Sequence, residues 1–283
     1  MSMHHHHFSV LSSVASSDLN DVPAAHIEVR EGVSTSMPIP DVDVIYLDPA
    51  RRSTDGSRVY EISDCEPDVV AWQHELLSHC RQLITKVSPM ADISRTIGRL
   101  VSVTDVYVLA VRNECKELLI VQQPDASSSQ PRLHCVDFMS SHTVSFSFTD
   151  GEQPDIPLAP GVGRYFYEPD VCIHKAQAYS ALSAAFDVSM FDNDCHYFTS
   201  SELCGSFPGR VFEVGEVIPF SSRNLKQLRN RFPQANIAAR NFPLTADELR
   251  RRTSIRDGGD LFLFGATLFG QGPLLLCCRK IKC

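Results

Sequence analysis

A short apolar strand that ends in Asp-Pro places the strongest constraint on the fold of this chain. The segment DVDVIYLDP at 41–49 carries apolar residues that fall on both faces of the predicted strand: Val42, Val44, Ile45 and Leu47. A strand that is apolar on both faces is typical of a parallel sheet covered by helices. The chain is therefore expected to build a layered α/β sheet around this segment.

Strand and helix patterns alternate after this segment. A helix is predicted to begin after Pro67 with Asp68 as its N-cap, because the apolar residues that follow recur at helical spacing. A strand at 82–87, a short helix capped by Asp92 and an apolar strand at 106–111 come next. This alternation predicts a parallel sheet with helices on both faces.

The composition changes after Val121. The segment 122–132 is polar and contains two prolines, and the strand predicted at 143–149 alternates apolar and polar residues. Alternation of this kind is typical of an antiparallel strand with one solvated face. The change marks either a domain boundary or a switch to an antiparallel edge of the same sheet.

The last part of the chain repeats the strand and helix alternation on a smaller scale. An alanine-rich helix is predicted at 173–186 and a strand at 209–220. A serine-capped helix, a strand, a helix opened by a capping box and a hairpin with a Gly-Gln-Gly turn follow. The last 75 residues are therefore predicted to form a small separate α/β domain.

Composition excludes several classes of protein. With 43% hydrophobic and 21% charged residues the chain buries a core, and no apolar run approaches the ~18 residues of a membrane span. No secretory leader is recognised, so a cytoplasmic location without membrane contact is expected. The ten cysteines include no CxxC pair, which disfavours a disulfide framework and a zinc site, and the vicinal Cys277 and Cys278 are expected to point to opposite faces of a strand.

Charge is distributed unevenly along the chain. The net charge is −8, yet residues 221–260 hold nine basic side chains against four acidic ones. Six of them recur on two predicted helices: Arg223, Lys226, Arg229, Arg250, Arg251 and Arg252. Such a surface is expected either to bind a polyanion such as RNA or to be a solvated face near helix C-termini.

The sequence Asp48-Pro49-Ala50-Arg51-Arg52 follows the first apolar strand. Ligands of open parallel sheets bind just outside the carboxyl ends of strands, so these residues are candidates for substrate contact. Lys86, at the end of the next parallel strand, is predicted to face the same crevice or to lie in solvent. The alternative for Asp48 is a turn cap, with the two arginines as surface charges.

Six sequence blocks follow one another in an order that resembles a known group of proteins. They are YLDPARR at 46–52, DCEPD at 64–68, ITKVSPMADI at 84–93, NECKELL at 113–119, YFYEPDVCIHKAQA at 165–178 and NFPLTADELRRRTSIRDGG at 241–259. Together they resemble bacterial S-adenosylmethionine-dependent methyltransferase-like proteins with C-terminal ferredoxin-like and THUMP-like domains. The resemblance implies an α/β fold class: a partial Rossmann-like class I methyltransferase sheet at 1–155, a ferredoxin-like segment at 156–208 and an α/β THUMP-like domain at 209–283.

The resemblance also implies an activity. It predicts methyl transfer from the cofactor S-adenosyl-L-methionine to a nucleic acid, most simply RNA, because THUMP domains are associated with RNA-modifying enzymes. The candidate catalytic residues are Asp48, Pro49, Arg51 and Lys86. No metal is implied.

Two departures from the group keep other functions open. Amine methyltransferases carry an Asp/Asn-Pro-Pro-aromatic motif at this strand end, whereas this chain has Ala50 and Arg51 in the last two places. The glycine-rich cofactor turn has no counterpart before Asp48, where HIEVREG at 26–32 resembles the third strand of the family's sheet. The alternatives are a non-catalytic RNA-binding module or pseudoenzyme, and a protein that binds a partner through an exposed sheet edge.

Overall fold

A computed structural model gives the fold and divides the chain into two compact units. Unit 1 is Met1–Gly151 and unit 2 is Glu152–Cys283. The residues that the structure describes are 7–10, 28–31, 36–51, 61–126, 130–149, 151 and 154–281.

Unit 1 is organised around one large sheet. Its described strands are β1 (His7–Val10), β2 (Glu28–Glu31), β3 (Val42–Leu47), β4 (Ala50–Arg51), β5 (Cys65–Glu66), β6 (Cys80–Val87), β7 (Val103–Val111), β8 (Glu114–Gln122), β9 (Arg132–Phe138) and β10 (Thr143–Thr149). Six of these strands form a sheet with the order β10-β9-β7-β8-β6-β3. Strand β1 pairs with β2, and β4 pairs with β5, in two small separate sheets.

Strand directions in the large sheet are mixed. Strands β3 and β6 are parallel, as are β7 and β9, but β8 runs antiparallel to both of its neighbours. The prediction of a fully parallel sheet is therefore wrong at β8. The first half of β8 is polar and partly exposed, so the sequence does not show the apolar pattern of a buried strand there. Strand β10 pairs antiparallel with β9, so the composition change after Val121 is a switch of strand direction within one sheet.

The helices of unit 1 begin at the predicted caps. Helix α1 (Val69–Ser78) is capped by Asp68, whose carboxylate accepts from the Ala71 backbone N–H at 3.1 Å. Helix α2 (Ile93–Ile97) is capped in the same way by Asp92. Because α1 lies between β3 and β6 in the chain, it provides the crossover that lets these two strands run parallel.

Unit 2 contains a second large sheet. Its strands are β11 (Tyr165–Pro169), β12 (Ser189–Met190), β13 (Phe198–Ser200), β14 (Gly209–Pro219), β15 (Asn236–Arg240), β16 (Leu261–Leu268) and β17 (Gly272–Lys280). They form one seven-stranded sheet with the order β12-β13-β11-β14-β17-β16-β15. The predicted hairpin at the end of the chain is confirmed as β16 and β17, with Gly270 in the turn at φ +73°.

Four helices accompany this sheet: α3 (Val171–Ala176), α4 (Tyr179–Phe186), α5 (Ser222–Arg231) and α6 (Ala246–Thr253). The predicted continuous helix at 173–186 is wrong, because Gln177 takes a left-handed conformation (φ 50°) and ends α3. The predicted caps of the other two helices are confirmed. Ser221 caps α5, and Thr245 and Glu248 form the reciprocal capping box of α6.

The sheet of unit 2 has an apolar cluster on each face. One cluster is aromatic and includes Phe166, Phe212 and Phe264, while the other lies beneath α5 and α6. Cys278 belongs to the first cluster and Cys277 to the second, which confirms that these neighbours point to opposite faces.

Several class-defining features are absent from the described part of the chain. None of its helices is long and apolar enough to cross a bilayer. Its cysteines are free thiols, and it contains no group of three His, Cys, Asp or Glu side chains placed to hold a metal ion.

We expect Phe166→Ala to destabilise unit 2 severely. Phe166 is fully buried, and its ring lies 4.7–6.1 Å, between centroids, from four other aromatic rings. Removing a buried ring leaves a cavity and lowers the free energy of unfolding by ~3–5 kcal/mol. Urea denaturation of the full chain measures this loss.

The matched control is Phe269→Ala, because the Phe269 side chain is 57% exposed. We expect the control to change the unfolding free energy by no more than ~0.5 kcal/mol. Equal effects of the two substitutions would contradict the assignment of the aromatic core.

Candidate functional site

The strand-end cluster is a group of polar side chains in unit 1, formed by Tyr46, Asp48, Lys86 and Glu117. Strands β3 and β6 run parallel, with Leu47 opposite Thr85 in the register. The next residues along the two strands are Asp48 and Lys86, so the register brings these predicted site residues side by side at the carboxyl ends of parallel neighbours.

Lys86 is the centre of the cluster. Its Nζ donates to Asp48 Oδ2 at 2.6 Å and lies 4.0 Å from Glu117 Oε2. Glu117 reaches it from β8, where Lys86 pairs with Leu119, which makes Glu117 a diagonal neighbour on the same face. Of the two alternatives for Lys86, a crevice shared with Asp48 or a position in solvent, the hydrogen bond to Asp48 agrees with the first.

Two pKa shifts concern the protonation of Lys86 and Tyr46. The hydrogen bond to Asp48 raises the pKa of Lys86 above its ordinary value and outweighs the opposing effect of burial. Burial also raises the pKa of Tyr46, although the nearby Lys86 charge opposes it. Lys86 is therefore an ammonium at neutral pH, and the Tyr46 phenol keeps its proton.

This arrangement suits a neutral or amine-bearing ligand better than an anion. Two carboxylates and one ammonium give the strand-end cluster an excess of negative charge. Tyr46 was not predicted as a site residue, although its spacing of two residues from Asp48 on one strand gives the signal.

The remaining residues of the predicted motif lie on a turn. Pro49 is half-buried, and the backbone of Ala50–Arg51 is tied to Cys65–Glu66 by the β4–β5 pairing. The side chain of Arg51 and the whole of Arg52 lie outside the part of the chain that the structure describes. The structure therefore positions the Arg51 backbone.

The cofactor S-adenosyl-L-methionine requires a glycine-rich turn after a strand in the class of fold that the sequence resembles. Among the described residues of unit 1, glycine occurs at Gly98 and Gly151. Gly98 ends α2 and Gly151 follows β10, so neither forms such a turn next to Asp48. The described residues do not by themselves provide a cradle for this cofactor.

A second candidate site lies in unit 2 and is called the basic helix surface. Its members are exposed cations of α5 and α6 that have no carboxylate within 4.0 Å among the described residues: Arg223, Lys226, Arg229, Arg251 and Arg252. The buried side chains of the same two helices are Leu225, Leu228, Leu249 and Thr253. The helices therefore separate an apolar inner face from a basic outer face.

Arg250 differs from its two neighbours. Its guanidinium donates to Asp257 Oδ1 at 2.8 Å and to Asp247 Oδ1 at 3.4 Å. Because both carboxylates already neutralise it, Arg250 is less available to an external anion than Arg251 and Arg252. This division within a run of three arginines depends on helix geometry and is not visible in the composition.

Comparisons with known proteins agree with this layout. A family model described as THUMP domain-like matches residues 209–280, and one described as a ferredoxin-like domain matches residues 165–208. The crystal structure of a "putative methyltransferase from Porphyromonas gingivalis W83" is 37% identical, with a TM-score of 0.80. The match covers 86% of this chain and 60% of that one, so the chain spans about three fifths of the length of the solved relative. No curated protein matches the chain.

The chain carries a ferredoxin-like and a THUMP-like domain, and most of its length is similar to that "putative methyltransferase". The ferredoxin-like match contains β11–β13, and the THUMP-like match contains β14–β17 with α5 and α6. The two matches meet between Pro208 and Gly209, inside the seven-stranded sheet. The basic helix surface belongs entirely to the THUMP-like domain.

We expect Asp48→Asn to lower the pKa of Lys86. The substitution removes the hydrogen bond to a carboxylate, which is the largest cause of the raised value. NMR of reductively ¹³C-methylated lysines follows the Lys86 titration directly. Glu117→Gln is the matched variant, and its effect is expected to be smaller because Glu117 lies 4.0 Å away. An unchanged Lys86 titration in Asp48→Asn would show that the ion pair is not formed.

Proposed function

We propose that the protein binds RNA and that the basic helix surface contacts the phosphates. The observation that carries this proposal is a group of five exposed cations on adjoining helices of the THUMP-like domain, none of which has a carboxylate within 4.0 Å among the described residues. The chain as a whole has a net charge of −8. The protein as a whole is acidic, so the excess of cations is a local property of this surface.

Cations of this kind bind RNA mainly through its backbone. Four of the five are arginines, whose planar guanidinium fits phosphate oxygens in a bidentate way. Phosphate contacts position the nucleic acid and carry little sequence information. The proposal therefore predicts binding that depends strongly on salt and weakly on sequence.

We expect the double substitution Arg251→Ala and Arg252→Ala to weaken binding of unstructured RNA and to flatten its salt dependence. Each lost phosphate contact reduces the slope of log K against log salt by about 0.7 for single strands, so the pair reduces it by about 1.4. Fluorescence anisotropy with a labelled oligouridine over a series of salt concentrations measures both effects.

Arg164→Ala is the matched control, because Arg164 is exposed and already paired with Glu213 at 3.0 Å. It is expected to leave the slope unchanged. Two results would refute the assignment: wild-type protein that does not bind RNA at low salt, or a double variant with the wild-type slope.

A second candidate function is methyl transfer from S-adenosyl-L-methionine to the bound RNA. It is favoured by the strand-end cluster, which lies at the carboxyl end of β3 in a methyltransferase-like unit. In this function the Asp48 carboxylate accepts a hydrogen bond from the acceptor amine, and Lys86 holds that carboxylate in place. When bound, the cofactor supplies the methyl group. Ala50 stands where amine methyltransferases place the second proline of their motif.

Cofactor binding separates the two candidates. Under the methyltransferase candidate, S-adenosyl-L-methionine at 100 times its dissociation constant stabilises the full chain by ~2.7 kcal/mol, which raises the thermal unfolding midpoint. Isothermal titration with the cofactor is expected to give heat in the same case. Neither heat nor stabilisation would reject methyl transfer by this chain and leave RNA binding without catalysis.

A further inference from the structure

A cluster of polar side chains in unit 2 lies apart from the basic helix surface. It contains His174 of α3, Tyr179 at the start of α4, His196 between β12 and β13, and Arg240 at the end of β15. We call it the Arg240 cluster. The ferredoxin-like match contributes the first three residues, and the THUMP-like match contributes the arginine.

The hydrogen bonds of the cluster form a chain from Arg240 through His174 to Tyr179. Arg240 Nη1 lies 3.0 Å from His174 Nε2, and because a guanidinium only donates, Nε2 is the acceptor. The other ring nitrogen of His174, Nδ1, lies 3.0 Å from the Tyr179 hydroxyl. His174 therefore connects the arginine with the tyrosine.

The protonation state of His174 determines whether the Tyr179 hydroxyl accepts or donates in the hydrogen bond between them. Burial lowers the pKa of His174 to about 4, and the charges of Arg240 and His196 act in the same direction. At neutral pH the ring carries a single proton, which sits on Nδ1 because Nε2 accepts from Arg240. Nδ1 then donates to the Tyr179 hydroxyl, and the hydroxyl proton remains for another acceptor.

Three side chains of the cluster thus have donors left over among the described residues. The Arg240 guanidinium makes one hydrogen bond and has further N–H groups, Tyr179 has its O–H, and His196 has a ring N–H. The Arg240 guanidinium lies 4.9 Å from the centre of the Tyr197 ring, and no described carboxylate lies within 4.0 Å of it. A partly buried cation with surplus donors is complementary to an anionic oxygen ligand.

Of the two acidic residues near the cluster, Asp192 already accepts a hydrogen bond and Asp194 is exposed. Asp192 Oδ1 accepts from the Asn241 side chain at 3.1 Å, and Asp194 is exposed and raises the pKa of His196 only against the larger effects of burial and Arg240. The Tyr179 and His196 rings stack at 4.2 Å with an interplanar angle of 12°. The stack fixes the orientation of both donor side chains before any ligand arrives.

We propose that the Arg240 cluster binds a phosphate group of RNA, with donors from Arg240, Tyr179 and His196. Donors on three neighbouring side chains suit the several oxygens of a phosphate better than the two oxygens of a carboxylate. The inference rests on the proposed RNA binding and adds a second phosphate contact on unit 2. Free phosphate has the same chemistry, so the test has one arm for each source.

The RNA arm compares the full-length wild type with Arg240→Gln and Tyr179→Phe. Anisotropy with a fluorescein-labelled oligouridine is expected to show about tenfold weaker binding for Arg240→Gln and about threefold for Tyr179→Phe. Tyr179→Phe keeps the stacked ring and removes only the hydroxyl, so it remains informative if Arg240→Gln unfolds. Arg279→Gln, an exposed arginine on β17, is the matched control and is expected to bind as the wild type does.

The free-phosphate arm follows the His196 ring by NMR during titration with inorganic phosphate. A bound anion is expected to raise the pKa of His196 in the wild type and to leave it unchanged in Arg240→Gln. If phosphate moves His196 while both variants bind RNA normally, the site takes free phosphate and the RNA assignment is overturned. If neither RNA affinity nor His196 responds, the cluster is no anion site, and RNA binding through the basic helix surface stands on its own. A wild type that binds no RNA overturns both proposals.

Discussion

Strand β14 is hydrogen-bonded along both of its edges, and the structure of unit 2 depends on this pairing. On one side Phe212 pairs with Phe166 of β11, and on the other it pairs with Lys280 of β17. The pairing joins the ferredoxin-like and THUMP-like matches into one sheet and buries the Phe212 ring completely. The two matched regions are therefore parts of one compact unit, with a single layer of strands beneath both candidate sites of unit 2.

The two faces of this sheet support different surfaces. Helices α5 and α6 cover one face, and their inner leucines pack with residues of β15–β17, so their outer cations stay exposed. On the other face the chain between β12 and β13 packs Phe191, Cys195 and Tyr197 into the aromatic cluster. Cys195 Sγ lies 3.5 Å from the Arg240 carbonyl oxygen, which ties this connection to β15. The same packing that fills the core thus brings His196 to Arg240.

Features that depend on local spacing could be predicted from the sequence. Asp68, Asp92, Ser221 and Thr245 cap their helices as expected, because capping is decided within three or four residues. The approach of Asp48 to Lys86 is one of two alternatives that the sequence leaves open, since both follow apolar segments that end at the same edge of a parallel pair.

Features that depend on distant pairing could not be predicted. The antiparallel direction of β8 follows from its place between β6 and β7, and the break at Gln177 interrupts an otherwise helix-forming sequence. His174 and Arg240 are separated by 66 positions, and only the sheet and its connections bring them within 3.0 Å. The pairing of Arg250 with Asp257 likewise requires the chain that follows α6 to fold back on the helix.

The proposal that joins these observations is that unit 2 binds RNA. Photo-crosslinking of the full chain to oligouridine, followed by mass spectrometry of the crosslinked peptides, tests it most directly. The account predicts crosslinked peptides that span α5, α6 and the end of β15. Crosslinks confined to Met1–Gly151, or none at low salt, would contradict it.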